Sequence, residues 1–305
     1  MAGGALTDLL IATRDGIRGP DGVDLQGREI TALAADRWGV WALADGRTVL
    51  RRTAGPWVEV EQVSELPGRC LLAVDEGLFV GTAEAGLLRL VEGALEDVEG
   101  FATVPGREGW YTPWGGPPDT RSMARGADRA LYANVHVGGI PRSRDGGRTW
   151  EPTIDVDADV HQVVAHPSDA TIVLAACAGG LAQSTDGGDS WTISSDGLHA
   201  PYCRAVALAG EDPDRPDTVL VSASTGPRTD RAAVYRRPIG DGSFERCTDG
   251  LPEWFGSNVD THCVTARGPT AAIGGPDGAV YRSEDSGRTW ERTIEDLPPI
   301  TCVAL

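Results

Sequence analysis

The chain alternates short apolar runs with polar segments rich in Gly, Asp and Ser, a pattern typical of β-strands joined by tight turns. Seven of the runs begin about 40 to 60 residues apart, as the modules of a repeat protein do. A repeated unit favours one closed array over residues 1–305 rather than two separate domains. The runs predicted as the first strand of each module are Ile30–Ala35, Cys70–Val74, Arg121–Ala124, Val160–Ala165, Tyr202–Leu208, Thr261–Ala266 and Ile300–Leu305.

One eight-residue motif occurs three times, before the predicted last strand of its module, at Ser143–Trp150, Ser184–Trp191 and Ser283–Trp290. Its Asp can accept turn N–H groups, its Gly can adopt positive φ, and its Trp can pack on the hairpin that the turn closes. The motif resembles the Asp-box (BNR) repeat of sialidase-like and glycoside-hydrolase-like β-propellers. The resemblance implies an all-β fold, a β-propeller, in which the box aspartates stabilise turns and do no chemistry.

The two ends of the chain predict how such a propeller closes. Leu9–Arg14 and Ile17–Arg18 form a hairpin pattern without a first strand, whereas Ile300–Leu305 is a first strand without a hairpin. Pairing them would close the ring and leave no free sheet edge. This arrangement predicts seven blades, with six as the alternative.

Charge and composition restrict the classes of partner and the compartment that we expect for this protein. The chain holds 45 acidic and 27 basic residues, and its net charge of −18 argues against nucleic acid and anionic membranes, which need a basic footprint. Its six cysteines lie mostly in apolar runs, which favours buried reduced thiols over a disulfide framework. Residues 1–8 lack the pattern of a signal peptide, so we expect a cytoplasmic protein that is a monomer or a weak homo-oligomer.

Four of the five histidines fall where the repeat pattern predicts one mouth of the central channel. Imidazoles from several blades could converge there on one divalent transition metal ion, Fe, Zn, Cu, Mn or Ni. The alternative is a set of hydrogen-bonded wall residues in a water-filled channel. The expected ligands are His136, His161, His199 and His262.

Two long connections are predicted at the same mouth. Residues 101–120 carry Trp110, Tyr111 and Trp114, and residues 249–260 carry Glu253 and Trp254. Long loops in compact domains often bind ligands, so we expect these side chains to contact a small-molecule substrate. Nearby polar residues are candidates for catalysis: Asp159 and Asp260 as acid, base or orienting groups, and Arg121 as an anion clamp.

The resemblance leaves the activity open. Sialidases carry an Arg-Ile-Pro motif near the N-terminus, whereas the nearest string here is Gly139-Ile140-Pro141-Arg142. The first hypothesis is a metal-dependent enzyme acting on a small metabolite, with hydrolase, lyase and oxygenase chemistry unresolved. The alternatives are a non-catalytic Asp-box propeller that binds a protein or glycan, and a metal-free glycoside hydrolase. The last needs two carboxyl groups roughly 5 to 9.5 Å apart across the mouth.

Overall fold

A computed structural model describes residues 9–63, 65–75 and 77–305, and within them the chain forms seven four-stranded antiparallel sheets. The strands are β1 (Leu10–Thr13), β2 (Gly16–Gly19), β3 (Gly22–Asp24), β4 (Ile30–Asp36), β5 (Gly39–Ala44), β6 (Thr48–Arg52), β7 (Val58–Gln62), β8 (Gly68–Val74), β9 (Gly77–Thr82), β10 (Leu87–Val91), β11 (Ala94–Asp97), β12 (Thr120–Arg125), β13 (Leu131–Val135), β14 (Pro141–Ser143), β15 (Glu151–Pro152), β16 (Val160–Ala165), β17 (Val173–Cys177), β18 (Gly180–Ser184), β19 (Thr192–Ser194), β20 (Tyr202–Ala209), β21 (Thr218–Ser224), β22 (Ala232–Pro238), β23 (Glu245–Arg246), β24 (Val264–Arg267), β25 (Thr270–Gly274), β26 (Val280–Ser283), β27 (Glu291–Ile294) and β28 (Ile300–Ala304).

These sheets are the blades of a β-propeller, so the prediction of seven blades is confirmed and the six-bladed alternative is wrong. Blades 1 to 6 hold β4–β7, β8–β11, β12–β15, β16–β19, β20–β23 and β24–β27, and blade 7 holds β28 followed by β1–β3. The first strand of each set is the innermost. The inner strand of blade 6 begins at Val264 rather than at the predicted Thr261, because His262 has a left-handed φ of 64° that interrupts the strand.

The ring closes as predicted from the two ends of the chain. Strand β28 pairs antiparallel with β1, with Leu10 opposite Ala304 and Ala12 opposite Cys302. Blade 7 therefore takes its innermost strand from the C-terminus and its other three from the N-terminus. This pairing covers the sheet edge that either end alone would expose.

Apolar side chains fill the space between neighbouring blades. Seven clusters of buried residues are found in the described part of the chain, and each joins two adjacent blades. Ala, Val, Leu and Cys predominate on the inner two strands, which lets the blades approach closely. All six cysteines are free and buried within these layers.

The three repeated motifs Ser143–Trp150, Ser184–Trp191 and Ser283–Trp290 form turns, here called box turns, that share one hydrogen-bond pattern. These turns lie at the end of the propeller opposite to the start of the inner strands, which we call the turn end. In the first copy, Asp145 accepts the backbone N–H groups of Arg148 and Thr149 and the hydroxyl of Thr149. Ser143 donates its hydroxyl to Asp145 and accepts the N–H of Gly147. The bonds from Thr149, followed by those from Ser143 and Arg148, lower the pKa of Asp145 to about 2.

Helical structure is confined to short turns in the described residues. The α-helix α1 spans Glu99–Ala102, and 3₁₀ turns span Ala83–Ala85, Arg107–Gly109 and Val156–Ala158. None of these is long or apolar enough to cross a bilayer. Residues 1–8, on which the signal-peptide prediction rests, lie outside the described residues.

Candidate functional site

All inner strands begin at the same end of the propeller, which we call the mouth. At this end each inner strand presents one side chain. In six blades a β-bulge after the first residues of the inner strand turns this side chain away from the regular pleat. In blade 6 the left-handed backbone of His262 has the same effect. From blade 1 to blade 7 the residues at this position are Thr31, Arg69, Arg121, His161, Arg204, His262 and Thr301.

The side chains of this ring surround a cavity of about 570 Å³. Most of the ring residues line the cavity directly, together with residues from the loops that enter blades 1, 3, 6 and 7. His161 lies just beneath, fully buried, with its ring 5.7 Å from that of His136, which lines the cavity. The arrangement combines guanidinium, imidazole and carboxylate groups in one pocket.

His161 is held in a defined tautomer. Its Nδ1 lies 2.5 Å from the carbonyl oxygen of Cys203 and donates to it, because a carbonyl only accepts. The other nitrogen, Nε2, then carries the lone pair, and it is buried without a hydrogen-bond partner. Burial, opposed by Asp159 and reinforced by Arg121, lowers the pKa of His161 to about 4. The imidazole is therefore neutral at pH 7.

The carboxylate of Asp159 lies close to Nε2 of His161. Its Oδ1 lies 3.1 Å from His136 Nε2 and 3.7 Å from His161 Nε2, yet neither contact has the direction of a hydrogen bond and the oxygen is otherwise unpartnered. Asp159 has a φ of 47° at the end of the 3₁₀ turn Val156–Ala158, a left-handed conformation that Asp tolerates better than most residues. Burial alone would raise the pKa of Asp159, but His136, His161 and Arg121 hold it below the ordinary value.

His136, Asp159 and His161 thus bring three ligand atoms within 4.8 Å of one another. Two imidazole nitrogens and one carboxylate are a ligand set that divalent transition metals accept, and they leave coordination positions open. The orphaned atoms Nε2 of His161 and Oδ1 of Asp159 fit such an ion, because buried polar atoms normally have a partner. The residues present are therefore suited to hold a metal.

His262 does not join this group, although it lies at the mouth. Its ring reaches across the channel from blade 6 to blade 3, where Nε2 lies 3.2 Å from the carbonyl oxygen of Arg121. Its backbone N–H donates to the side chain of Gln162 in blade 4. His262 also lines a second cavity of about 310 Å³ below, so it forms the floor of the mouth.

His199 lies away from the axis, contrary to the expected meeting of four imidazoles. Its Nδ1 is 2.8 Å from the hydroxyl of Tyr235, and its Nε2 is 3.2 Å from the carbonyl oxygen of Arg231. Tyr235 lies on β22, the third strand outward in blade 5, about 10 Å from the innermost strand at ordinary strand spacing. Trp254 packs on this outer cluster, with its ring 4.7 Å from that of His199.

The other predicted substrate-binding residues lie in three environments. Trp114 is 69% exposed, lines the mouth, and lies with its ring 5.2 Å from that of His136. Tyr111 and Glu253 are exposed. Trp110 differs from the expectation, because its ring is buried against Phe101 in the layer between blades 2 and 3.

The remaining predicted catalytic residues, Asp260 and Arg121, lie close to each other and line the same cavity as His136. Asp260 accepts a hydrogen bond from Arg204 at 2.7 Å, and its Oδ1 lies 4.0 Å from the guanidinium of Arg121. Burial would raise the pKa of Asp260, but Arg204, the N–H of Thr261 and Arg121 lower it. Both carboxylates of the site, Asp159 and Asp260, are consequently ionised at neutral pH.

Four ring residues were not predicted: Thr31, Arg69, Arg204 and Thr301. A signal for them is present in the sequence, since the ring residue of every blade is polar and is followed by a small or polar residue and then by an apolar one. The corresponding strings include Ile30-Thr31-Ala32-Leu33, Gly68-Arg69-Cys70-Leu71, Cys203-Arg204-Ala205-Val206 and Ile300-Thr301-Cys302-Val303. Aligning the seven strings would have predicted the ring.

Comparisons with known proteins agree on the fold alone. No protein-family model and no curated protein matches the chain. Among solved structures it is similar to an ancestral GH74 enzyme, with TM-score 0.64 and 16% identity over 97% of this chain and 41% of that one. The GH74 xyloglucanase from Xanthomonas campestris matches with TM-score 0.64 and 16% identity, over 95% of this chain and 47% of that one.

Virginiamycin B lyase from Staphylococcus aureus has the same TM-score of 0.64 at 13% identity, and covers 95% of this chain and 89% of the lyase. The chain spans less than half the length of the GH74 structures but most of the length of the lyase. At these identities the likeness establishes a β-propeller of the kind that glycoside hydrolases and other enzymes use.

Proposed function

We propose that the protein is a metal-dependent enzyme that acts on a small molecule in the mouth. The observation that carries the proposal is that His136, Asp159 and His161 each bring one ligand atom within 4.8 Å of the others, with Asp159 Oδ1 3.1 Å from His136 Nε2 and 3.7 Å from His161 Nε2. One divalent transition metal ion, Fe, Zn, Cu, Mn or Ni, would be coordinated by these three atoms and would satisfy them. Structures of the same fold include a lyase and glycoside hydrolases, so the propeller supports catalytic sites of more than one kind.

The residues around the ion have separable tasks. Cys203 fixes the tautomer of His161 through its carbonyl oxygen, which keeps the Nε2 lone pair directed at the ion. Trp114 covers His136 on the solvent side and limits access of water. When bound, the metal would polarise a substrate oxygen or activate water or dioxygen, which leaves hydrolase, lyase and oxygenase chemistry as the candidate reactions.

A metal-free glycoside hydrolase is less well supported. That chemistry needs one carboxyl group that stays protonated near neutral pH so that it can donate to the leaving oxygen. The pKa values of Asp159 and Asp260 are both lowered by neighbouring cationic or imidazole groups. Neither carboxyl group is therefore prepared to act as the acid.

The test is metal content after reconstitution with each of the five ions, for the wild type and two asparagine variants. We expect about one ion per chain in the wild type and none in His161→Asn, whose amide can still donate to Cys203. His199→Asn is the matched control and should keep the metal, since His199 binds Tyr235 and Arg231 instead. A wild type that takes up none of the ions would overturn the proposal and favour a propeller that binds a protein or glycan through exposed Trp114 and Tyr111.

We also infer that the three box turns are Asp-box repeats, on the strength of their shared hydrogen-bond pattern, and that the protein works as a cytoplasmic monomer or weak homo-oligomer. The free, buried state of all six cysteines supports a reducing compartment, because no described pair forms a disulfide. Light scattering of the purified protein tests the oligomeric state, and a stable higher oligomer would contradict it.

A further inference from the structure

The ring arginines follow a pairing rule between neighbouring blades. Arg69 of blade 2 binds Asp119, which precedes the inner strand of blade 3, at 3.0 Å. Arg204 of blade 5 binds Asp260, which precedes the inner strand of blade 6, at 2.7 Å. In both cases the aspartate lies two residues before the ring residue of the next blade. The guanidinium is thus neutralised across the blade boundary.

Arg121 of blade 3 breaks this rule. The aspartate in the corresponding place of blade 4 is Asp159, and its carboxylate is turned toward His136 and His161 instead. The nearest carboxylate to Arg121 is Asp260 at 4.0 Å, whose Oδ1 already accepts from Arg204 and from the backbone of Thr261. No hydrogen bond from the Arg121 guanidinium to another described residue is formed. Its donors are free although the side chain is only 22% exposed.

The Arg121 guanidinium, which forms no hydrogen bond with a described residue, lies in the same part of the mouth as the metal group. Arg121 lines the same cavity as His136, which follows β13 in the same blade, and it is the ring residue of the blade next to that of His161. Arg121 and Arg204 are balanced by Asp159 and Asp260 in the metal-free protein. A divalent ion would leave this side of the mouth with an excess of positive charge, which favours an anion between the ion and Arg121.

We propose that Arg121 forms an oxyanion subsite next to the metal group, and that the substrate is a small acid whose carboxylate or phosphate binds there. This inference rests on the proposed function. A guanidinium presents several N–H donors in one plane, which matches either kind of oxyanion in a bidentate fashion. The oxyanion takes the place that Asp159 would fill if the blade-to-blade pairing continued.

Calorimetric titration of the zinc-loaded protein tests the subsite with three probes that share a phenyl ring. Benzoate and phenyl phosphate carry the two candidate oxyanions, and benzamide is the neutral control. We expect at least one anion to bind the wild type while benzamide does not, and Arg121→Gln to weaken that binding about tenfold or more. Arg121→Lys should restore part of the affinity, because it keeps the charge but loses the planar fork.

Arg14→Gln is the matched control, since Arg14 lines the same cavity but pairs with Glu29 at 3.7 Å and is largely exposed. It should change the affinity by no more than about twofold. Equal binding to the wild type and Arg121→Gln, equal binding of benzamide and benzoate, or no anion binding to the zinc-loaded wild type overturns the inference and leaves the metal site standing. If the wild type does not take up zinc, this result counts against the proposed function. The same titration of metal-free protein then tests whether Arg121 binds the anions.

Discussion

Strand β16 separates two histidines with opposite surroundings. At its turn end His166 is fully satisfied: its Nε2 lies 2.9 Å from the carbonyl oxygen of Pro216, and its Nδ1 accepts the N–H groups of Ser168 and Asp169. At the mouth His161 bonds through Nδ1 only, and its Nε2 is buried without a partner. The first histidine holds a turn together, whereas the second keeps a ligand atom available.

Asp145 and Asp159 differ in the same way as the two histidines. Asp145 in the first box turn accepts hydrogen bonds on both of its oxygens, while Asp159 has a buried oxygen that none of the described residues satisfies. Both pKa values are lowered, so the direction of the shift does not distinguish a structural carboxylate from one suited to bind a ligand. The number of satisfied lone pairs does distinguish them.

The largest loss of stability should come from removing β28, because this strand joins the two ends of the chain in blade 7. Deleting residues 300–305 removes β28, with the buried side chains of Cys302 and Val303, and exposes β1 as an open edge. We expect a loss of about 4 kcal/mol or more, enough to abolish cooperative unfolding in a urea titration. Deleting Leu305 alone, which lies outside the strand, is the control. A truncated protein that unfolds like the wild type would show that the ring does not need closure.

The next prediction is that His161 at the mouth and Asp145 at the turn end contribute to stability in different pH ranges. His161 has a pKa of about 4 in the folded protein against about 6.5 when unfolded, so the unfolded chain binds the proton first. Its stabilising contribution is complete above about pH 6.5 and is lost as the pH falls toward 4, amounting to about 3 kcal/mol. Asp145, at about 2 in the folded protein, acts in a lower window, from about pH 4 down to 2.

Urea titrations between pH 7 and 3 check the two windows. The difference between wild type and His161→Asn should change between pH 6.5 and 4, and that between wild type and Asp145→Asn should not change there. His199 and His262 are present in every variant and cancel in the difference. Overlapping windows would contradict the assignment of a neutral buried imidazole at the mouth.

A smaller effect is expected from the box turn itself. Asp145→Ala removes hydrogen bonds to two backbone N–H groups and two hydroxyls, but the turn is close to solvent, so we expect a loss of about 1 to 2 kcal/mol. Zinc binding should be unchanged. Asp159→Asn should do the reverse and weaken zinc binding strongly at little cost in stability, because Asn tolerates the left-handed backbone as Asp does. Calorimetry and urea titration of both variants measure the two quantities together.

The fold was largely predictable from the sequence because each blade repeats one local pattern. Apolar runs marked the inner strands, and the box turns marked the passage from third to fourth strand. Blade 6 is the exception in detail: the apolar pattern continues through His262, and only its left-handed backbone shows that the strand begins at Val264. A conformation imposed by contacts with blades 3 and 4 has no local signal.

The site was less predictable, because position in the repeat indicates which end of the blade a residue occupies but not its distance from the axis. His136 and His199 both belong to the mouth end, yet one contacts Asp159 and the other reaches outward to Tyr235 on a third strand. Trp110 and Trp114 share one loop, and only the second faces solvent. These differences arise from packing between blades.

The smallest effect compares two exposed tryptophans at opposite ends of the molecule. Trp114 at the mouth is 69% exposed, and Trp38, in the β4–β5 turn at the turn end, is 63% exposed. Replacing either with Ala should change the free energy of unfolding by less than about 0.5 kcal/mol, because little buried area is lost. Trp114 covers His136, however, so its removal should speed the release of zinc to a chelator by about threefold. Trp38→Ala should leave the rate unchanged, and equal rates in the two variants would mean that the ring over His136 does not control access to the metal group.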